Sequence, residues 1–320
     1  MNPNPSSPKS HTLLYVLMGL SFFCLLTFFF VIYSVQKAFS HGSSEIFVGD
    51  NEIDLISVQG PIYESDDIVR RIKKFKTSSK KALLLRLDSP GGGVAPSQEI
   101  YTEILRARES KKIVVASMSS LAASGAYYIA SACDRIVANP GTLTGSIGVI
   151  AEFPDASILL KKVGVNFETI KSGKYKDTGS FSRPMNSGER NYLQGTINEV
   201  YQQFLKSVVD GRRNAFREKL SKLLNKKASA ISDEDIIRFI MPYSDGRVLT
   251  GSTAYNLGFV DQLGNYYDAV KVTADLAGIK GEPVVRQDAP SKLDQWMNGL
   301  IPFSFFSRNN TSFQLEYRAF

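Results

Sequence analysis

The 320-residue chain contains only two histidines, His11 and His41, both near its N-terminal end. A serine nucleophile needs an adjacent base, most often an imidazole. Beyond residue 41 no histidine-based triad can be built. Cysteine is equally scarce: Cys24 and Cys133 are the only two. One lies in a long apolar run and the other far beyond it, so no intrachain disulfide is expected. The same scarcity removes the ligands zinc prefers, and neither a metal nor another cofactor is expected. The net charge is +7, with basic clusters at Arg70–Lys81 and Arg212–Lys227. These clusters hold one aromatic each, Phe75 and Phe216, too few for an interleaved stacking platform, so they read as solvated helix faces and not as a nucleic-acid site. Weak attraction to anionic headgroups is a further reading of the charge.

One long hydrophobic run is present. From Leu13 to Val35 no residue is charged, and Lys9 and Lys37 bracket the stretch. At about 1.5 Å per residue it can cross a hydrocarbon core of about 30 Å. A cleaved signal peptide ending near Ala38-Phe39-Ser40 competes, but its apolar region would be shorter. A lipid attachment at Cys24 fits poorly, because Phe23 precedes it where a small residue belongs. The expected organisation is a cytoplasmic segment 1–12, a transmembrane anchor 13–35, a linker 36–45, a soluble domain 46–281 and a tail 282–320. Lys9 and the terminal amine favour the N-terminus inside. The tail carries Trp296, Leu300, Ile301, Phe303, Phe305 and Phe306 among polar residues. Such a surface is expected to dock on its own domain, a neighbouring subunit or the membrane.

The soluble part alternates strand and helix patterns. "IDLISVQG" (Ile53–Gly60), "KALLLRLDSPGGG" and "KKIVVASMSS" read as buried strands. "SDDIVRRIKKF" (Ser65–Phe75) carries acids early and bases late, as a helix does. "PSQEIYTEILRARES", Leu121–Cys133, Pro154–Val163 and Ser187–Arg213 read as helices. "DRIVANP", "GSIGVI" and Phe167–Lys171 read as further strands. Alternation of this kind implies an α/β fold with a parallel sheet. Ligands then belong at loops beyond the carboxyl ends of strands, here Ser89–Gly93 and Met118–Ser120.

Three pieces could carry chemistry. The glycines of Ser89-Pro90-Gly91-Gly92-Gly93 permit unusual backbone angles, and successive N–H groups can face a developing oxyanion. An ordinary strand-to-helix turn would look the same. Ser124-Gly125 would place a hydroxyl at a helix start, but Ser119 and Ser120 are not excluded by the pattern alone. For the base, "KSGKYKDTGS" offers Lys171, Lys174 and Lys176; a lysine serves if its surroundings favour the neutral amine. Asp177 follows Lys176 directly, and a close carboxylate would oppose this unless the two side chains point apart.

Together, "DSPGGG", "ASGAYYIASACDRIVANPGTLTGSIGV", "SGKYKD" and "DGRVLTGSTAYNLGFVDQLG" resemble, in order, the bacterial signal peptide peptidase family. These are Ser–Lys serine proteases related in fold to Clp protease and the crotonases. The resemblance spans roughly Ile53 to Leu276 and implies a Clp protease/crotonase-like fold of repeated strand–strand–helix units. It implies Ser124 as nucleophile, Lys176 as general base, Gly91 as oxyanion-hole donor and Ser146 as the serine that orients the lysine. Gly92 and Gly93 then line the substrate groove. It further implies hydrophobic peptide substrates such as released signal peptides, and a homo-oligomer. A bacterial plasma-membrane location, with the protease domain outside and lipid contact through the N-terminal helix, completes the expectation. Two rivals remain at this level: an inactive membrane-anchored peptide-binding scaffold, and a crotonase-like acyl-CoA enzyme on the same fold.

Overall fold

The computed structural model describes Tyr15, residues 18–21, Phe23, and residues 25–30, 51–287 and 316–319. The chain divides into two compact units, Met1–Gly49 and Asp50–Phe320. In the first, the described residues between Tyr15 and Phe30 are helical. No helix among the described residues is long and apolar enough to cross a membrane. The segment 1–12, the linker 36–45 and much of the run 13–35 lie outside the described residues, as does 288–315 of the tail.

The second unit is built on strands β1 (Glu52–Gln59), β2 (Ala82–Ser89), β3 (Gly91–Gly93), β4 (Ile113–Ala123), β5 (Arg135–Ala138) and β6 (Leu143–Gly145). Beyond them come β7 (Val248–Thr250), β8 (Gln262–Leu263), β9 (Val284–Gln287) and β10 (Glu316–Arg318). The helices are α1 (Asp66–Thr77), α2 (Val94–Glu109), α3 (Gly125–Ser131), α4 (Ser157–Lys162), α5 (Ser187–Leu224), α6 (Asp233–Ile240), α7 (Gly251–Leu257) and α8 (Tyr266–Ala277). The main sheet runs β7-β6-β4-β2-β1-β9, with β5 on β4 and β8 on β5. Among the described residues, only the β6–β7 pair is antiparallel in that sheet. The mixed α/β class expected from the sequence is therefore present.

Period-two patterning explains the layers. Leu83, Leu85 and Leu87 of β2, with Val114, Ala116 and Met118 of β4, enter the larger core, with Ile72, Ile100, Ile104 and Phe204 from α1, α2 and α5. Ala82, Leu84 and Val115 face the other way and meet Ala269, Val270 and Ala274 of α8. Both faces of the central strands are covered, so these strands read as continuous apolar runs. Truncating one such buried leucine to alanine costs about 2–5 kcal/mol.

Strand β4 carries the feature that places the site. Its register against β2 shifts, from Leu87 opposite Met118 to Ser89 opposite Ala122. Extra residues on one strand bend it and raise its twist. Before the irregularity β4 pairs with β5; after it, Leu121–Ala123 pairs with β6. The bend is held by Arg86, which donates to Ser117 Oγ at 2.8 Å and Ser119 Oγ at 3.0 Å.

Several local expectations are corrected. Met118–Ser120 is not a loop, because β4 continues to Ala123 and the helix expected from Leu121 starts at Gly125. Phe167–Lys171 forms no strand, and "GSIGVI" contributes only Gly145 to β6 and an isolated bridge at Ile150. The helix expected over Ser187–Arg213 continues to Leu224. Val284–Gln287, assigned to the tail, pairs in parallel with β1.

Candidate active site

Ser124 stands at the turn between β4 and α3. Its backbone has φ 55° and ψ −118°, a conformation that non-glycine residues rarely adopt. Strain of this kind persists only where the surroundings over-determine it, and it concentrates at functional sites. Here the surroundings are two hydrogen bonds: Ser124 N–H donates to Gly145 O at 2.8 Å, and Tyr128 N–H to Ser124 O at 2.8 Å. Ser124 is fully buried, and its Oγ has no hydrogen-bond partner among the described residues. Ser119 differs, since its hydroxyl accepts from Arg86, and Ser120 is exposed. Of the three serines, Ser124 is the one that is fully buried with an unpartnered hydroxyl among the described residues.

The glycine loop lies against it. Gly91 has φ +99°, and a Cβ added there would stand 2.1 Å from Tyr317 O, 2.6 Å from Gly125 N and 3.0 Å from Ser124 Cβ. Only glycine fits such an approach. Gly92 packs as tightly on Ile62, and Gly93 N–H donates to Ile62 O at 2.8 Å. Gly91 N–H itself donates to Ser89 Oγ at 3.1 Å. Gly125 opens α3, and its N–H has no intrahelical partner. This amide directly follows the serine and is one of the free helix-start amides that the Ser124-Gly125 pattern leads one to expect.

Ser146 lies one residue beyond β6, is buried, and has φ 49°. Its N–H donates to Arg247 O at 2.9 Å. Ser124 and Ser146 are therefore brought together by the β4–β6 pairing.

Lys176 is placed differently. It sits in a turn, is exposed, and its side chain makes no hydrogen bond or ion pair among the described residues. It is not within hydrogen-bonding reach of Ser124 Oγ in this chain. The neighbouring carboxylate is engaged elsewhere: Asp177 pairs with Arg183, Nε to Oδ2 at 2.8 Å, and with Lys171. These two cations hold the Asp177 carboxyl well below the usual range. Arg183 also binds Glu189, which closes a capping box with Asn186 at the start of α5. The segment around Lys176 exposes many apolar side chains, including Ile158, Leu159, Val163, Phe167 and, at 95% exposure, Ile170.

No group of acidic, histidine or cysteine side chains among the described residues could hold a metal ion. Cys133 is buried, and burial pushes its thiol well up, so it is no nucleophile.

The family model for peptidase family S49 matches residues 106–226, a span that includes Ser124, Ser146 and Lys176. A candidate protease of Synechocystis sp. is 41% identical over 217 residues, covering 68% of this chain and 70% of that one. A candidate signal peptide peptidase SppA of Enterococcus faecium is 30% identical over 257 residues, covering 72% and 69%. Some relatives are longer: the chain spans 36% of Protease 4 of Haemophilus influenzae, at 32% identity. Among solved structures, a membrane-bound stomatin-specific protease mutant with a bound substrate peptide overlaps at TM-score 0.43 and 19% identity, covering 79% of this chain and 99% of that one.

Proposed function

The chain belongs to peptidase family S49, and we propose that it is a membrane-anchored serine endopeptidase in which Ser124 is the nucleophile and Lys176 the general base. The carrying observation is Ser124 itself: a buried, unpartnered hydroxyl on a strained strand-to-helix turn, against Gly91. In the reaction, Ser124 Oγ attacks the peptide carbonyl and its proton passes to the neutral Lys176 amine. The oxyanion draws on the Gly125 N–H, joined by the Gly91 N–H once it leaves Ser89 Oγ. The lysine then protonates the departing amine, and water hydrolyses the acyl-enzyme. Ser146 helps to orient the lysine, and Gly92 and Gly93 line the groove.

Lys176 reaches Ser124 from a neighbouring copy. The exposed lysine, the unpartnered Ser124 hydroxyl and the exposed apolar side chains of residues 158–170 all support a homo-oligomer assembled through this segment. The substrates are hydrophobic peptides, such as released signal peptides. The uncharged run Leu13–Val35 anchors the protein in a bacterial plasma membrane with the protease domain outside, close to such peptides.

One observation favours a second reading, a peptide-binding scaffold without turnover: within one chain the Ser–Lys pair is not assembled. Mixing separately inactive Ser124→Ala and Lys176→Ala proteins separates the two. Recovered cleavage of a fluorogenic hydrophobic peptide supports a shared dyad. Turnover that stays unchanged in either single variant refutes the assignment, and a wild type that binds peptide but never cuts it supports the scaffold.

A further inference from the structure

Strand β4 carries two more residues than the strand it pairs with. Leu87 to Ser89 is two steps along β2, while the facing stretch, Met118 to Ala122, is four steps along β4. Side chains alternate with a period of two, so drawing out two residues would leave every side chain of β4 on its present face. The in–out pattern therefore does not exclude a straight register, and something else must hold the bent one. The difference matters to the nucleophile. At about 3.3 Å per residue, a straight register would carry Ser124 about 7 Å along the strand.

Side chains from both neighbouring strands pin the insertion step by step. Arg86 Nη1 donates to Ser117 Oγ at 2.8 Å and lies 3.5 Å from Met118 O, and its Nη2 donates to Ser119 Oγ at 3.0 Å. Asp88, two residues along β2, accepts from Leu121 N–H at 3.2 Å. From the β6 side, Thr142 Oγ1 donates to Ser119 O at 2.6 Å and Thr144 Oγ1 to Ala122 O at 2.7 Å. The next pinned atom is the Ser124 N–H, on Gly145 O. Of these four side chains, Arg86 is the one that reaches both sides of the break. Ser117 is still in register, opposite Arg86 itself, whereas Ser119 lies past the last regular pair, Leu87–Met118. The guanidinium is half-buried, and the Tyr266 ring centroid is 5.5 Å from it. Burial pulls its pKa below the ordinary value, against the nearby charge of Asp88. A cation with part of its water removed holds hydroxyl oxygens more firmly than a neutral donor does.

We propose that Arg86 is a positioning residue for the nucleophile: by clamping Ser117 and Ser119 across the two-residue insertion in β4, it fixes the turn on which Ser124 stands. The inference rests on the peptidase reading above. It gives Ser119, which takes no part in the reaction, the place of a clamp point. Productive catalytic geometry tolerates displacements of only about 0.5 Å, far less than a change of register brings. Losing Ser119 by itself leaves the Ser117 half of the clamp in place, so the test removes both halves.

The test follows Ser124 with a fluorophosphonate, which reports on the nucleophile without a natural substrate. In the full chain in detergent, Arg86→Met and, separately, Ser117→Ala combined with Ser119→Ala are expected to phosphonylate Ser124 at least about tenfold more slowly than wild type. Their kcat on a fluorogenic hydrophobic peptide is expected to fall by a similar factor, with KM within about threefold. Arg86→Lys keeps a cation but not the fork, and is expected to fall between Arg86→Met and wild type. Leu84→Ala, on the core face that meets α8, is expected to lower the melting temperature without slowing the labelling. An equal loss of labelling rate in Leu84→Ala reduces the Arg86 effect to stability and overturns the inference, as does wild-type labelling in Arg86→Met. Should Arg86→Met fail to fold, the double serine variant carries the comparison. Hydrogen exchange gives a readout free of chemistry: Arg86→Met is expected to speed exchange across residues 117–125 and to leave β1 at the wild-type rate, and unchanged exchange at 117–125 overturns the clamp. A wild type that neither labels nor cuts removes the peptidase reading, while faster exchange confined to 117–125 keeps the clamp. A wild type that labels and cuts, matched in both by Arg86→Met, does the reverse.

Discussion

Ser124 and Ser146 leave neighbouring parallel strands at the same level. Ala123 and Gly145 are the last paired residues of β4 and β6, and each serine is the next residue along. Both have left-handed backbones, φ 55° and 49°, and Ser124 N–H closes the junction by donating to Gly145 O. The two hydroxyl-bearing residues are thereby fixed to one end of one strand pair.

The first prediction separates the three serines. Ser124→Ala lowers peptide turnover by about a thousandfold or more, the scale on which removing a serine nucleophile acts. Its melting temperature stays close to wild type, since the Oγ it loses has no partner among the described residues. Ser120→Ala leaves both unchanged. Ser119→Ala keeps turnover within a few fold but costs about 1 kcal/mol, for the lost bond to Arg86. Paired turnover and melting measurements on the three variants check this.

A second concerns the glycine against the nucleophile. Gly91→Ala places a methyl group 2.1 Å from Tyr317 O and 2.6 Å from Gly125 N, on a backbone at φ +99°. The strain alone costs about 1–3 kcal/mol. Turnover falls with stability, and a urea-unfolding midpoint that matches wild type contradicts the close approach.

Acid sensitivity gives a third. Arg183 and the Asn186 backbone hold Glu189 at about 2, below its ordinary 4.5. A depressed carboxyl stabilises the fold above its ordinary value and loses that effect as the pH falls toward the folded value. The start of α5 is therefore expected to loosen between about pH 4.5 and pH 2. Glu189→Gln removes this contribution, so its urea midpoint depends less steeply on pH across that window. Equal slopes in the two proteins contradict the assignment.

Stability of the core gives a fourth. Arg212 is 3% exposed and donates to Asp261 Oδ1 at 2.6 Å, while Asp261 Oδ2 accepts from Ile136 N–H at 2.7 Å. Arg212→Met leaves that carboxylate unpaired, which costs about 3–5 kcal/mol. Replacing both partners, as Arg212→Met with Asp261→Leu, restores part of the loss. A double variant no more stable than the single one argues against an ionic cause.

Much of this was legible in the sequence. The apolar runs of β1, β2 and β4 announced strands buried on both faces, and early acids with late bases marked α1. Local pattern alone did not separate Ser124 from Ser119 and Ser120, and only the resemblance pointed to it; its placement depends on a register shift in β4 that no local pattern records. The strands expected over Gly145–Ile150 and Phe167–Lys171 misled for a different reason: beyond Gly145 and the isolated bridge at Ile150, their apolar side chains are not matched by a strand in this chain. The pairing of β10 carried a signal that went unread. Phe313, Leu315, Tyr317 and Ala319 alternate with Gln314, Glu316 and Arg318, the period of a half-buried strand. Nothing in that alternation says which edge it joins.

The solvent-facing position of Lys176 has a kinetic consequence on the proposed reading. A base borrowed from another molecule makes the rate depend on encounters between copies. Dilution then silences the enzyme faster than it lowers the number of chains, and confinement to a surface, which crowds copies into two dimensions, switches it on.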